Sequence, residues 1–261
     1  PKQILPNYKE FYEKRWFSSG ADAEADEIRL SGADVPFGVD LLFEYDSRFC
    51  VGVEICEDLW NVIPPSSYQA LAGATVLVNL SASNELVAKA DYRRELVRSQ
   101  SARCVAGYIY ASSGVGESST DLVFGGHAMI AENGVMLAEN ERFARDASII
   151  YADLDCLRLT MTRITETSVP SNPPDEMDCV PLATLPAVTE LRRSIDPHPF
   201  VPGDPATRDA RCHEIFCIQA AGLAKRLEHT QAKCAVVGVS GGLDSTLALL
   251  VAQRAMRLLG R

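Results

Sequence analysis

Proline distribution divides this chain more sharply than any other feature. Nine of the 14 prolines fall between Pro170 and Pro205, in a chain of 261 residues. Proline lacks a backbone N–H and its ring clashes with the preceding helical turn, so a stretch this rich in proline holds neither a long helix nor a central strand. The sequence therefore predicts a surface linker over residues 166–205, with a folded domain on each side.

The residues before the linker show the pattern of an α/β domain. Two nearly continuous apolar runs, at 48–56 and 74–83, are typical of strands buried on both faces of a sheet. An amphipathic helix is predicted over 89–104, followed by strands over 105–113 and 125–140. Within the last run, Asn-Gly at 133–134 is the favoured pair for a hairpin turn.

Composition excludes several classes of function. A net charge of −10 disfavours nucleic-acid binding, which depends on Lys and Arg. The eight cysteines form no C-x-x-C pair and the four histidines no H-x-x-x-H pair, so no metal site is expected. No apolar run approaches the roughly 18–20 residues that span a bilayer. We expect a soluble, cytoplasmic protein that binds neither membrane nor nucleic acid.

After the linker, a helix is predicted over 206–230 and a strand over 234–240, and the turn Ser-Gly-Gly-Leu-Asp-Ser opens a further helix. Such a turn can grip a phosphate, because consecutive N–H groups converge and the helix N-terminus adds partial positive charge. Two alternatives remain. Residues 238–242 also match the G-x-S-x-G nucleophile elbow, although all four histidines precede them. The other alternative is a plain turn without a ligand.

The hexapeptide resembles the pyrophosphatase loop of the ATP-pyrophosphatase superfamily, whose members adenylate a carbonyl compound and release pyrophosphate. The superfamily includes asparagine synthetases, tRNA-modifying enzymes and NAD synthetases. The resemblance implies an ATP site with Mg²⁺, which Asp244 could meet. The implied ATP-binding residues are Gly238, Ser240, Gly241, Gly242, Leu243, Asp244 and Ser245.

A second motif surrounds Cys56, at the end of the apolar run in FCVGVEICEDLW. A cysteine there can be exposed at the edge of a sheet, with the N–H of Glu57 directed at an oxyanion. Alternatively, Cys56 is one more buried cysteine. The Cys-Glu-Asp sequence resembles the nucleophile strand of the nitrilase superfamily, whose catalytic set is glutamate, lysine and cysteine in chain order.

Further segments are similar to glutamine-dependent NAD synthetases over nearly all of the chain, with the linker weakest. They are PKQILPNYKEFYEKRWF, LVNLSASNELVAKADYRRELVRSQSARC, GYIYASSGVGESSTDLVFGGHAMIAENG, ENERF and PFVP. The implied fold is the C-terminal part of a nitrilase-type αββα sandwich over residues 1–165. The start of a Rossmann-like adenine-nucleotide α-hydrolase sheet is implied over 206–261.

Residue roles carried over by position follow from this resemblance. Cys56 is the nucleophile, and Lys2 stabilises the thiolate and the oxyanion. The implied glutamine-binding residues are Tyr8, Glu57, Ser83 and Lys89. Relatives can carry arginine at the position of Lys89, where lysine offers a point charge instead of a bidentate contact. For Glu57, a solvated or capping acid is the alternative.

The implied reaction is the work of an ATP-dependent carbon–nitrogen ligase with glutamine amidotransferase activity. Cys56 releases ammonia from glutamine, and the ammonia amidates adenylated deamido-NAD while ATP is cleaved to AMP and pyrophosphate. The family's general-base glutamate precedes Lys2, and the chain ends one helix after the loop. We therefore expect an internal piece of a longer homo-oligomeric enzyme, inactive by itself. Alternatives are a stand-alone nitrilase-like amidase and a non-catalytic assembly module.

Overall fold

The computed structural model describes residues 1–166, 177–183 and 190–261. It divides into two compact units, Pro1–Arg193 and Ser194–Arg261. The predicted linker falls partly outside the described residues, at 167–176 and 184–189. Its limits, and those of the two predicted domains, stay predictions.

A seven-stranded mixed sheet forms the centre of the first unit. Two separate two-stranded hairpins precede it in the sequence. The strands of the described residues are β1 (Asn7–Tyr8), β2 (Phe11–Tyr12), β3 (Glu27–Leu30), β4 (Ala33–Pro36), β5 (Leu41–Asp46), β6 (Phe49–Ile55), β7 (Val76–Ser81), β8 (Gly107–Ser112), β9 (Ala128–Glu132), β10 (Val135–Glu139) and β11 (Asp178–Pro181). In space the large sheet runs β10-β9-β8-β7-β6-β5-β11. Strands β6, β7 and β8 are parallel, so their carboxyl ends meet at one edge of the sheet.

Four of the described helices lie between strands of the first unit, and two belong to the second unit. The described helices are α1 (Glu13–Trp16), α2 (Pro65–Leu71), α3 (Lys89–Arg103), α4 (Cys156–Thr165), α5 (Pro205–His229) and α6 (Leu243–Leu258), and a 3-10 turn covers Cys56–Trp60. The predicted helix over 89–104 is confirmed as α3. The predicted hairpin is confirmed as β9 and β10, with Asn133 and Gly134 both at positive φ.

The hydrophobic core lies on one face of the large sheet, under α2 and α3. It contains Leu77, Tyr108 and Met129 from the strands and Val97 from α3, all inaccessible to solvent. The expectation of burial on both faces is wrong for β6, where residues alternate between buried and half-buried, and for β7, where Leu80 is exposed. The reason is that α2 and α3 cover only one face, so the side chains of the other face keep partial exposure.

Part of the predicted linker forms a strand of the large sheet, in spite of its high proline content. Strand β11 pairs in parallel with β5, with Cys179 opposite Leu42. It lies at the edge of the described sheet and carries Pro181 at its end, where a proline is tolerated.

The second unit consists of α5 and α6, which pack through Ala224, Leu227 and Ala255. The predicted helix over 206–230 is confirmed as α5. The predicted strand over 234–240 is wrong for the described structure, where this stretch has no regular secondary structure and Val236 is 95% exposed. A strand needs a hydrogen-bonded neighbour, and the second unit as described contains none. Among the described helices, none combines the length and apolarity that crossing a membrane requires.

Candidate active site

Cys56 occupies a sharp bend between β6 and the 3-10 turn that follows it. Its φ is +53°, in the left-handed region that residues other than glycine rarely adopt. Its side chain is buried, with 9% of the residue exposed. Strained backbone of this kind costs of order 1–3 kcal/mol and persists where surrounding contacts over-determine it, often at active sites. Among the described cysteines, the bend distinguishes Cys56 from buried Cys50 and Cys104, whose φ is not positive.

Asn79 supplies contacts that hold the bend. This fully buried residue of β7 lies opposite Glu54 of β6 in the parallel register. Its Oδ1 accepts a hydrogen bond from the N–H of Cys56 at 3.2 Å, and its Nδ2 donates to the carbonyl of Cys56 at 3.4 Å. The N–H of Glu57, next in the turn, has no partner within the turn and suits an oxyanion.

Two cavities meet at Cys56. The smaller has a volume of about 220 Å³, and Tyr8, Glu57, Ser83 and Lys89 line it together with Cys56. The four residues that the resemblance implies for glutamine binding thus lie around one space. The larger cavity, of about 830 Å³, is mainly apolar. Lys2 lines this second cavity, again together with Cys56.

The smaller cavity carries groups of opposite charge. The hydroxyl of Tyr8 donates to both carboxylate oxygens of Glu57, at 3.0 and 3.1 Å. Burial, followed by the nearby Glu57 carboxylate, raises the pKa of Tyr8 to about 12, so its proton stays in place. Burial also raises the pKa of Glu57, against the hydrogen bond from Tyr8 and the charges of Lys2 and Lys89.

Lys89 provides the positive end of this cavity. Its Nζ donates to Asn84 Oδ1 at 2.7 Å and lies 5.1 Å from the centroid of the Trp60 ring. The Trp60 ring itself contacts that of Tyr92, at 5.6 Å between centroids. Burial lowers the pKa of Lys89, although the charges of Cys56 and Glu57 oppose that effect. An amide oxygen and an aromatic face therefore fix the ammonium without neutralising it.

A carboxylate accompanies Lys2 in the larger cavity. Lys2 Nζ lies 2.6 Å from Glu13 Oε2, and both residues line the cavity with Cys56. The segment carrying Lys2 is tied to the 3-10 turn at Cys56–Trp60 by buried Asp58. One oxygen of Asp58 accepts the N–H groups of Gln3 and Ile4, at 3.2 and 2.7 Å. The turn that positions the thiol therefore also positions the lysine.

The Ser240 loop belongs to the second unit and is exposed. Gly241 has φ +86°, a conformation that favours glycine. Ser245 Oγ accepts the N–H of Ser240 at 3.2 Å and donates to the carbonyl of Gly242 at 3.1 Å. The loop leads directly into α6. In the described ranges, no three or more His, Cys, Asp and Glu residues cluster as a metal site would require.

The model of the carbon-nitrogen hydrolase family matches residues 3–164. The chain belongs to this family. The matched range contains Cys56, Glu57, Ser83 and Lys89, and Lys2 lies one residue before it. Strands β5–β10 and helices α2 and α3 lie within the matched range, and in this structure they place Cys56 between the two cavities.

Curated relatives extend the similarity of this carbon-nitrogen hydrolase chain to its second unit. The "Glutamine-dependent NAD(+) synthetase" of Mycobacterium tuberculosis is 45% identical over 271 aligned residues, covering 100% of this chain and 40% of its own length. The human protein of the same name is 31% identical over 165 residues, covering 59% of this chain and 23% of its own length. The chain therefore spans less than half the length of these relatives.

A solved structure supports the fold. The crystal structure of a glutamine-dependent NAD(+) synthetase from Cytophaga hutchinsonii aligns with a TM-score of 0.50 and 23% identity, covering 98% of this chain and 33% of that one. At this identity the likeness concerns the fold alone. It agrees with the nitrilase-type sandwich that the sequence implies for the carbon-nitrogen hydrolase region.

Sequence reasoning missed five residues that organise this site. They are Glu13, Asp58, Asn79, Asn84 and Trp60. Two signals were available, since Asp58 and Trp60 stand within four residues of Cys56 in the same motif. Asn79 gave no signal, because its role depends on the register between β6 and β7. Glu13 gave none either, since its contact with Lys2 depends on how the intervening residues fold.

Proposed function

We propose that this chain carries the glutamine-hydrolysing site of a glutamine-dependent NAD⁺ synthetase. The observation that carries the proposal is the placement of Cys56, whose strained backbone sets it between Lys2 on one side and the Tyr8–Glu57–Lys89 cavity on the other. The names of the curated relatives support the same function. Because the chain covers 40% of the longer relatives, ligase activity is proposed for the whole protein.

The smaller cavity supports recognition of a free amino acid. The Glu57 carboxylate, held by Tyr8, faces the same space as the Lys89 ammonium, so one cavity offers partners for both charges of an amino-acid zwitterion. A volume of about 220 Å³ suits a ligand as small as glutamine. In this proposal Glu57 binds the α-ammonium group, and Lys89 with Ser83 binds the α-carboxylate.

The proposed chemistry follows from the groups around the sulfur. The Cys56 thiolate attacks the side-chain amide carbon of glutamine, and the carbonyl becomes an oxyanion held by the Glu57 N–H and Lys2. The tetrahedral species expels ammonia after its nitrogen takes up a proton, leaving a thioester on Cys56. Water then cleaves the thioester to give glutamate and the free thiol. Proton transfers of this kind need a positioned base, which contributes roughly 10²–10⁴-fold.

The second unit supports an ATP site. The left-handed Gly241 turns the loop, and α6 begins at Leu243, so its first N–H groups have no partners within the helix. These groups, with the hydroxyls of Ser240 and Ser245, would hold phosphate oxygens. Asp244 would help bind Mg²⁺ beside them, since Mg²⁺ sites combine few carboxylates with substrate phosphates. ATP bound there would activate the carboxylate of deamido-NAD.

Wider properties belong to the same proposal. A net charge of −10 supports small-molecule substrates over nucleic acid and fits a soluble cytoplasmic protein. The proposed substrates are glutamine, ATP and deamido-NAD, and the proposed assembly is a homo-oligomer. The absence of a regular strand at 234–240 in the described structure favours testing a second candidate, an amidase acting without a working nucleotide site.

The test uses the full native gene product. NAD⁺ formation from deamido-NAD, ATP and Mg²⁺ is measured with glutamine or with ammonia as donor, in wild type, Cys56→Ala and Cys217→Ala. Cys217 is exposed on α5 and serves as the matched cysteine control. We expect Cys56→Ala to lose glutamine use alone and Cys217→Ala to retain both donors. Glutamine use that survives in Cys56→Ala rejects the nucleophile. Ammonia release without any NAD⁺ from either donor favours the amidase.

A further inference from the structure

A buried guanidinium lies behind the smaller cavity without lining it. Arg93 belongs to α3, one turn after Lys89, and no part of it is accessible to solvent. Removing an arginine from water is costly unless its hydrogen-bonding groups find partners. The hydrogen-bond partners of Arg93 therefore indicate which residues it positions.

The four terminal N–H groups of Arg93 each have an acceptor, whereas its buried Nε–H has none. Nη1 donates to Glu85 Oε1 at 2.9 Å and to His127 Nδ1 at 3.0 Å. Nη2 makes longer contacts of 3.4 Å with Ser83 Oγ and with the carbonyl oxygen of Asn84. Both of these residues line the smaller cavity. A planar fork with fixed donor directions thus joins two cavity residues to two buried partners.

The buried partners of Arg93 are themselves anchored. A guanidinium only donates hydrogen bonds, so His127 Nδ1 must accept, and the ring proton lies on Nε2. That Nε2–H donates to Glu139 Oε1 at 2.8 Å. Glu85 uses its second oxygen for Arg142, at 3.0 Å. Arg93 is therefore held from two directions and cannot shift without breaking these contacts.

Asn84 extends the network to the charged end of the cavity. Its backbone oxygen accepts from Arg93, and its side-chain oxygen accepts from Lys89 Nζ at 2.7 Å. We propose that Arg93 is a positioning residue for substrate recognition, which fixes Ser83 and Asn84 and, through Asn84, the ammonium of Lys89. This inference rests on the proposed function, because it assigns the fixed ammonium to the α-carboxylate of glutamine.

The variants are Arg93→Lys and Arg93→Met, made in the full native gene product. Lysine keeps the positive charge but cannot reach four acceptors at once, and methionine removes the charge. Arg98→Lys is the control, because Arg98 lies on the same helix and donates to Gly134 on the exposed side. We expect the KM for glutamine to rise about tenfold or more in both Arg93 variants, with kcat within about threefold of wild type.

A labelling experiment separates positioning from loss of folding. Two reagents that alkylate the Cys56 thiol are used separately. A glutamine-shaped diazoketone must occupy the amino-acid cavity to react, whereas iodoacetamide does not. Mass spectrometry follows the peptide that contains Cys56. We expect the Arg93 variants to react about tenfold more slowly with the diazoketone and at the wild-type rate with iodoacetamide.

Three results would overturn the inference. Equal slowing by both reagents means that Arg93 maintains the whole fold or the bend at Cys56. An unchanged KM in both variants means that the fork does not position the cavity. A fall in kcat without a rise in KM places Arg93 in the chemical step. If the diazoketone fails to label Cys56 even in wild type, the proposed function fails first, and the inference fails with it.

Discussion

The side-chain amide of Asn79 makes two hydrogen bonds to the backbone of Cys56. Its Oδ1 accepts the N–H of Cys56, and its Nδ2 donates to the carbonyl oxygen of Cys56. Both bonds come from one fully buried side chain on the neighbouring parallel strand. A left-handed cysteine is unfavourable by itself. The two hydrogen bonds of this amide therefore help to offset the strain at Cys56.

Replacing Asn79 is expected to slow the chemical step. Asn79→Asp retains an acceptor for the N–H of Cys56 but loses the donor, and Asn79→Leu loses both while keeping a similar volume. We expect kcat for glutamine hydrolysis to fall more in the leucine variant, by about 10²-fold, since small displacements of a nucleophile have effects of this size. Steady-state ammonia release measures it, and ammonia-dependent NAD⁺ formation should be unchanged. Equal activity in all three proteins contradicts the prediction.

Glu13 is expected to act through Lys2, which it contacts at 2.6 Å. Glu13→Gln keeps the size and a hydrogen-bonding oxygen but removes the charge that holds the ammonium. We expect kcat for glutamine hydrolysis to fall about tenfold with KM little changed, because in the proposed mechanism Lys2 stabilises the oxyanion and does not line the amino-acid cavity. Glu24→Gln, at an exposed site, is the control. A rise in KM alone would place Glu13 in substrate binding instead.

Lys89→Arg tests whether a guanidinium can replace the ammonium at this position. A guanidinium can bind a carboxylate bidentately, but it is larger and planar, and the space beside Trp60 and Asn84 is shaped around an ammonium. We expect Kd for glutamine to change by less than about tenfold. Lys89→Met, without charge, should raise it more than tenfold. Calorimetry on a Cys56→Ala background measures binding without turnover. Similar Kd values for the two variants would exclude a charge contact.

His127 is expected to make the protein less stable in mild acid. Burial lowers the pKa of His127 from its usual 6.5, and the Arg93 charge adds to this, against the hydrogen bond and charge of Glu139 and the charge of Glu85. Below pH 6.5 the His127 ring is protonated in the unfolded chain but stays neutral in the folded chain until the pH reaches the lower folded pKa. The free energy of unfolding therefore falls as the pH falls. The slope approaches about 1.4 kcal/mol per pH unit until the folded pKa is reached.

The measurement compares urea unfolding of wild type with that of His127→Asn between pH 8 and pH 5. Asparagine keeps an acceptor near the position of Nδ1 but does not titrate. Other titrating groups contribute to both proteins and cancel in the difference. We expect the free energy of unfolding of wild type to fall relative to the variant below pH 6.5. Parallel curves would show that His127 titrates normally.

Arg163 is expected to stabilise the first unit. This residue of α4 donates to the carbonyls of Ala74, Cys104 and Val105, at 2.7, 2.8 and 3.1 Å, around the C-terminal ends of α2 and α3. Arg163→Met leaves those buried acceptors without partners, so we expect a loss of about 2–3 kcal/mol in urea unfolding. The exposed Arg158→Met should stay within about 0.5 kcal/mol of wild type. Equal losses would assign the effect to α4 as a whole.

Sequence reasoning succeeds here where local pattern determines structure. The Asn133-Gly134 turn follows from dihedral preference, and the strand that leads to Cys56 follows from a run of apolar residues. Helix α3 lies where it was predicted, but it has no marked apolar face, since three of its five buried residues are polar. The gathering of Tyr8, Glu57, Ser83 and Lys89 rests instead on family resemblance. Their roles stay predictions until the variants are measured.

The failures have a common physical origin in contacts between distant segments. Asn79 faces Cys56 only because β6 and β7 adopt one parallel register, and spacing along the chain does not determine that register. Arg93 reads as one polar residue of an amphipathic helix, yet it is fully buried because Glu85 and His127 approach it from other segments. The stretch 234–240 has the composition of a strand, but composition cannot supply the neighbour that a strand requires.

The position of Pro181 in β11 affects how the sheet meets other chains. The N–H of Asp178 donates to Asp40, just before β5, and that of Leu182 donates to Glu44 of β5. Because N–H groups alternate in direction along a strand, the nitrogen of Pro181 points away from β5. That nitrogen has no hydrogen to donate. A strand that paired with the described edge would therefore lack one backbone hydrogen bond, at Pro181. Open sheet edges are where proteins are most prone to aggregate, so this proline disfavours such pairing.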